Sequence, residues 1–134
     1  MKPILLALAG AAAVAAPAYA HHSFAASYFE EQRVTVEGSL VEFDFRNPHA
    51  FVKIAVVDTE GVTTEYSGEW AAAARLQAQG VQKETLKPGD HLVMTGAPAR
   101  TPDQHRLHLK TLQRPADGWV WGGGGLPRGS GSRR

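Results

Sequence analysis

The order and phase of the apolar residues predict a mostly β protein: a small closed barrel of five strands, with one short helix between the third and the fourth. Three observations point to it. From Val34 onward, apolar residues alternate with polar ones in short runs, as half-buried strands require. The first run changes phase beside a glycine, so one long strand can bend between two sheets. Only one segment, Trp70 to Gln79, abandons alternation for good helix formers.

The first strand begins at Val34. Val34, Val36 and Leu40 share one phase, Val41, Phe43 and Phe45 share the opposite one, and Gly38 lies within the first set. A slip of this kind beside glycine marks a bulge or a sharp bend. Asn47-Pro48 ends the strand. Phe51 to Val57 forms the second strand, Asp58-Thr59-Glu60-Gly61 a hairpin turn, and Val62 to Tyr66 a third, more polar strand. Ser67 and Gly68 open the helical segment, which offers Trp70, Ala73, Leu76 and Ala74 to a core and is capped by Gly80.

Leu86-Lys87-Pro88-Gly89-Asp90 places proline and glycine where a type II turn needs them. His91 to Ala97 is the fourth strand and Leu107 to Leu112 the fifth, with Thr101-Pro102-Asp103 in the loop between them. Asp117-Gly118 turns the chain into a brief strand, Trp119-Val120-Trp121. This order is that of an OB-fold, whose long first strand joins both sheets and whose closure removes exposed edges. A short open β-sandwich with a packed helix is the competing architecture. Core candidates are Val36, Leu40, Phe43, Val52, Ile54, Leu76, Val93 and Leu109.

With 134 residues the chain has room for one small domain, and 20% charged and 43% hydrophobic residues are ordinary globular values. Met1-Lys2, an apolar run from Ile4 to Ala16, Pro17 and the small residues of Ala18-Tyr19-Ala20 read as a secretory signal peptide over residues 1–20. The run is too short to span a bilayer. The alanine-rich leader has a bacterial character, so the expected location is the periplasm or the exterior. A mature N-terminal segment (21–33) then leads into the barrel domain (34–121), and residues 122–134, rich in Gly, Ser and Arg, form a flexible tail. Removal of Lys2 leaves acidic and basic residues in balance, with no general pull on nucleic acid or anionic membrane. The absence of cysteine excludes disulfides, thiolate metal sites and Cys nucleophiles.

Cleavage after Ala20 makes His21 the new N-terminus, followed by His22. The α-amine and imidazole of a terminal histidine can chelate one metal together, and their pKa values, about 7.7–8.0 and 6.5, make the proton cost small near neutrality. A square or T-shaped nitrogen set favours Cu(II). Cleavage one or two residues earlier would leave histidine third in the chain, where amine, backbone amides and imidazole also wrap Cu(II) or Ni(II). The plainer alternative is a polar, frayed terminus.

His49, after Asn47-Pro48, lies in the loop between the first two strands, which borders the usual ligand face of an OB-fold. It is the preferred partner for His21, although a rigid turn with a backbone-bonded histidine explains the same residues. His108 shares its phase with Lys110 and reads as part of a solvated face; His91 reads as a turn edge, and His105 stands beside Arg106. Glu30, Glu31 and Asp44 show no spacing suited to acid–base chemistry. Nucleophile elbows, phosphate loops and dinucleotide fingerprints are all missing, so catalysis is not supported. Phe43, Phe45, Trp119 and Trp121 are candidates for an aromatic ligand face, with core packing as their alternative.

His21-His22-Ser23-Phe24, Val36-Glu37-Gly38, Asn47-Pro48-His49 and Leu86-Lys87-Pro88-Gly89-Asp90 occur here in that order. Together they resemble a family of small secreted bacterial proteins of unknown function. The likeness runs to about Leu112 and implies secretion and fold, not chemistry; the ending, with Trp119, Trp121 and the run from Gly122 to Gly125, departs from it. Two functions follow as expectations: a periplasmic protein holding Cu(II) at His21, His49 and His22, or a module binding a small molecule, glycan or protein partner on its barrel face without metal.

Overall fold

The computed structural model describes residues 22–123; the expected signal peptide, His21 and the tail beyond Gly123 lie outside the described residues. The elements are α1 (His22–Ser27), β1 (Val34–Asp44), β2 (Phe51–Val57), β3 (Thr63–Glu69), α2 (Ala73–Ala78), β4 (His91–Pro98), β5 (Arg106–Arg114) and β6 (Trp119–Gly122). The strands run in the order β3-β2-β1-β4-β5-β6, and a parallel pairing of β3 with β5 closes the first five into a barrel. This is the OB arrangement that the sequence predicts, with β6 added on the outer edge of β5.

The bend in β1 is what allows closure. Val34 to Ser39 pair with β4, and Ser39 to Asp44 pair with β2, so one strand serves both sheets. Gly38 stands at the crossing, where a Cβ would collide with the carbonyl oxygen of Ala55. The phase slip itself falls later. Leu40 faces Ile54 and Glu42 faces Lys53, which leaves Val41 as the extra, exposed residue of a β-bulge. The bulge restores Phe43 to the inner side after Leu40, so the two apolar phases of the sequence are one face of a bent strand.

Leu40, Val52, Ile54, Leu76 and Leu109 are buried as the pattern implies, while Val36 and Phe43 pack at the core's margin. Val93 is a correction. Leu92 and Met94 fill the barrel instead, paired with Gly38 and Val36 of β1, and Val93 sits opposite Glu37 on the outer side. Alternation in β4 is therefore one residue out of the expected phase, because nearly every residue of this short strand is apolar and the register with β1, not the local pattern, sets which face is buried.

A second correction concerns the helix. Strand β3 continues through Ser67, Gly68 and Glu69, because these three pair with Arg106, Leu107 and His108 of β5. Trp70 then enters the core by donating its backbone N–H to Ala50 O at 2.8 Å, and α2 begins only at Ala73. Ala74 faces solvent rather than the core. Ala72, at the N-cap, cannot cap α2 with its side chain; Asn47 Oδ1 accepts the Ala74 N–H instead at 3.2 Å. The Ala73 N–H bonds to Arg46 O at 3.1 Å and the Ala50 N–H to Ala71 O at 3.0 Å, so the β1–β2 loop is strapped to the start of α2 on both sides of His49.

Gly38→Ala should lower stability by about 1–3 kcal/mol, the usual cost of forcing a group into a filled space. In urea unfolding the midpoint should fall while the slope stays unchanged. An unaltered midpoint would mean that the strand crossing tolerates a side chain.

Candidate functional site

Alternation sorts the side chains of β5. Leu107 and Leu109 point into the barrel, so Arg106, His108 and Lys110 point out. The parallel register places Glu69 of β3 beside His108 on the same outer face. Three basic side chains thus share the wall over the barrel's closing seam with a single carboxylate.

The segment before β1 folds over this wall. Tyr28 forms a bridge with Ala99, the Phe29 N–H bonds to Pro98 O at 2.9 Å, and the Arg100 N–H bonds to Ser27 O at 2.9 Å. Arg100 also donates Nε to Ala25 O at 2.7 Å and lies 4.5 Å over the Phe29 ring. A six-residue helix, α1, forms within this arm, where the sequence suggests only an N-terminal segment.

Two acid-centred clusters result. In the first, Glu69 is buried. His49 Nδ1 lies 2.8 Å from its Oε1, while the Tyr28 hydroxyl donates to Oε2. Arg106 Nη2 donates to the same Oε2 and to the Tyr28 oxygen, both at 3.2 Å. Burial, and then the adjacent Glu69, push the Tyr28 phenol far above the usual tyrosine range, so it remains a hydrogen-bond donor at any physiological pH. In the second cluster, His108 Nδ1 lies 2.6 Å from Glu30 Oε1, and Lys110 donates to Glu30 Oε2 at 2.6 Å. Burial alone would raise the Glu30 pKa, but hydrogen bonds from Lys110 and His108 outweigh it and hold the carboxyl below its ordinary value. One ring joins the clusters: Phe24 stacks on His108 at 3.8 Å and lies 5.2 Å from His49.

Of the expected metal residues, His49 is in this site. His21 and the side chain of His22 lie outside the described residues. Among the described residues, no group of three or more His, Asp or Glu side chains is arranged to hold a metal ion. The aromatic candidates lie elsewhere. Phe43 packs 5.8 Å from Trp70 and 5.4 Å from Phe45; Trp121 meets Trp70 edge-on at 4.8 Å and donates Nε1 to Gln79 Oε1 at 3.0 Å. Trp119 lies under the guanidinium of Arg114. His91 is exposed near Glu37, the His105 ring lies tilted against Tyr66 at 5.0 Å, and Asp44 pairs with Arg46 at the surface.

His108 differs from the sequence expectation. Its side chain is only 18% exposed, because the N-terminal arm covers the outer face of β5. Sequence pattern does not single out Glu69 or Tyr28, it sets Glu30 aside for want of a paired spacing, and it gives Arg106 and Lys110 only as neighbours of the β5 histidines. Glu69 carried a usable signal, since an acid between Gly68 and Trp70 in a small and aromatic stretch suggests a buried carboxylate in need of partners.

A family model matches residues 9–108, a span containing every side chain of the two clusters except Lys110. The chain belongs to that family, DUF6152, a family of unknown function. No curated protein matches the chain. Membership of DUF6152 brings no activity with it, so the chemistry has to come from the clusters themselves.

The lowered Glu30 pKa makes arm docking acid-sensitive. Because the folded value lies below the unfolded one, its stabilisation is complete above the unfolded pKa, near 4.5, and is lost as pH falls through the folded value. Amide exchange at Phe29, corrected for intrinsic rates, should show protection that declines in that acid window. Glu30→Gln should lower protection at neutral pH and flatten the decline; identical profiles for both proteins would rule out the Glu30 anchor.

Proposed function

We propose that the protein is a periplasmic or secreted bacterial copper-binding protein, exported by residues 1–20 and holding Cu(II) between His21 and His49, with His22 as a further imidazole at the terminus. One observation carries the proposal: the N-terminal arm is packed against His49. Phe24, three residues after His21, has its ring 5.2 Å from the His49 ring. Three residues of chain reach at most about 11 Å, a span that lets the new terminus reach that imidazole.

The chemistry suits the metal. The amine and imidazole of His21 and the imidazole of His49 make a three-nitrogen set, which Cu(II) prefers over other common divalent ions. His49 is mounted before the metal arrives by the loop strapped to α2, and the arm is fixed at Ala25, Ser27 and Phe29 by its bonds to β4 and Arg100; a ligand and a chain segment already in place lower the ordering entropy of binding.

The test uses natively exported protein, whose sequence should begin at His21. Cu(II) affinity is compared for the mature protein, for His49→Ala, and for a peptide copying the terminus. The mature protein should bind at least about tenfold more tightly than either, equivalent to ~1.4 kcal/mol. Equal affinities would reduce the terminus to an adventitious chelator, and a chain starting beyond His22 would remove the site.

A further inference from the structure

We propose that Glu69 is the positioning residue of this site: it takes the Nδ1–H of His49 on Oε1 and thereby presents Nε2 as the ligating nitrogen, while Tyr28 and Arg106 hold the carboxylate in that pose. The nature of the ligand rests on the copper proposal; the orientation of His49 does not.

A neutral imidazole has one N–H and one lone pair, and the partner of one nitrogen decides which is which. A carboxylate can only accept, so Glu69 Oε1 at 2.8 Å from Nδ1 selects the Nδ1–H tautomer and leaves the lone pair on Nε2. Carboxylate–imidazole pairs of this kind orient metal-bound histidines and increase their basicity.

Glu69 is not free to turn away. Its second oxygen accepts from both Tyr28 and Arg106, and leaving that position would strand buried polar groups. The mounts are equally firm. Glu69 ends β3 within the closing seam, and Ala50, next to His49, is bonded through its N–H to Ala71 and through its C=O to Trp70. Both side chains therefore hang from one pair of tied segments. His108 lacks these properties: its Nδ1 is shared between Glu30 and Lys110, Phe24 stacks on its ring, and its side chain is 18% exposed against 37% for His49. Tyr28 and Phe24 belong to the same arm, so a single docking event completes the clamp on Glu69 and lays the Phe24 ring beside His49.

Two-bond proton–nitrogen NMR spectra of ¹⁵N-labelled, metal-free exported protein, taken at about pH 8, above the ordinary imidazole pKa, read the tautomer directly. His49 should be in the Nδ1–H form. In Glu69→Ala it should shift toward the Nε2–H form favoured by free histidine, and Cu(II) affinity should fall about 10–100-fold. A wild-type His49 in the Nε2–H form overturns the proposal, as does a folded Glu69→Ala protein that keeps Nδ1–H. If that variant fails to fold, the wild-type spectrum still decides. An Nδ1–H tautomer combined with Cu(II) affinity indifferent to His49→Ala would overturn the copper proposal alone and leave the hold of Glu69 on His49 standing.

Discussion

Three residue pairs, Ser67 with Arg106, Gly68 with Leu107 and Glu69 with His108, close the barrel and build its polar site in the same stroke. On the inner side of this parallel seam Leu107 is buried, and Gly68 leaves its space to Met94. On the outer side the same register aligns Glu69 with the basic row of β5. The rest of the fold serves this closure. Strand β1 can join both sheets only because Gly38 has no side chain at the crossing and Val41 is extruded as a bulge. Strand β3 must run on to Glu69, which delays α2 and hands its N-terminal capping to Asn47.

The seam leaves the barrel wall with unbalanced chemistry. Arg106, His108 and Lys110 stand beside one buried carboxylate, and a buried polar network is stable only when its members find partners. The N-terminal arm brings those partners: Tyr28 for Glu69, Glu30 for His108 and Lys110, and Phe24 to shield the two imidazoles. The arm is thus part of the folded domain, although it precedes the first strand. Its docking also links stability to site assembly, because contacts that satisfy the network hold the segment just after His21 against His49.

What was legible in the sequence is what depends on local pattern. Strand alternation, the Pro-Gly turn before β4, the helix after β3 and the bend near Gly38 are properties of neighbouring residues, and all are present in the fold. His49 stood out because an Asn-Pro-His turn at the end of a long strand is a local signal. Val93 shows the limit of that approach: in a short strand of mostly apolar residues, either phase looks plausible, and the partner register with β1 chooses Leu92 and Met94.

The sequence by itself determined the barrel, its strand order and the loop that carries His49, since hydrophobic period and turn chemistry act over a few residues. Only the tertiary structure decided which charges meet. Glu69 lies 20 residues from His49, 41 from Tyr28 and 37 from Arg106 along the chain, and nothing local in any of them records the others. A parallel strand pairing and an arm folded back across it bring them together. That is also why His108, polar and alternating with buried leucines, reads as solvent-facing in sequence yet lies beneath Phe24 in the fold.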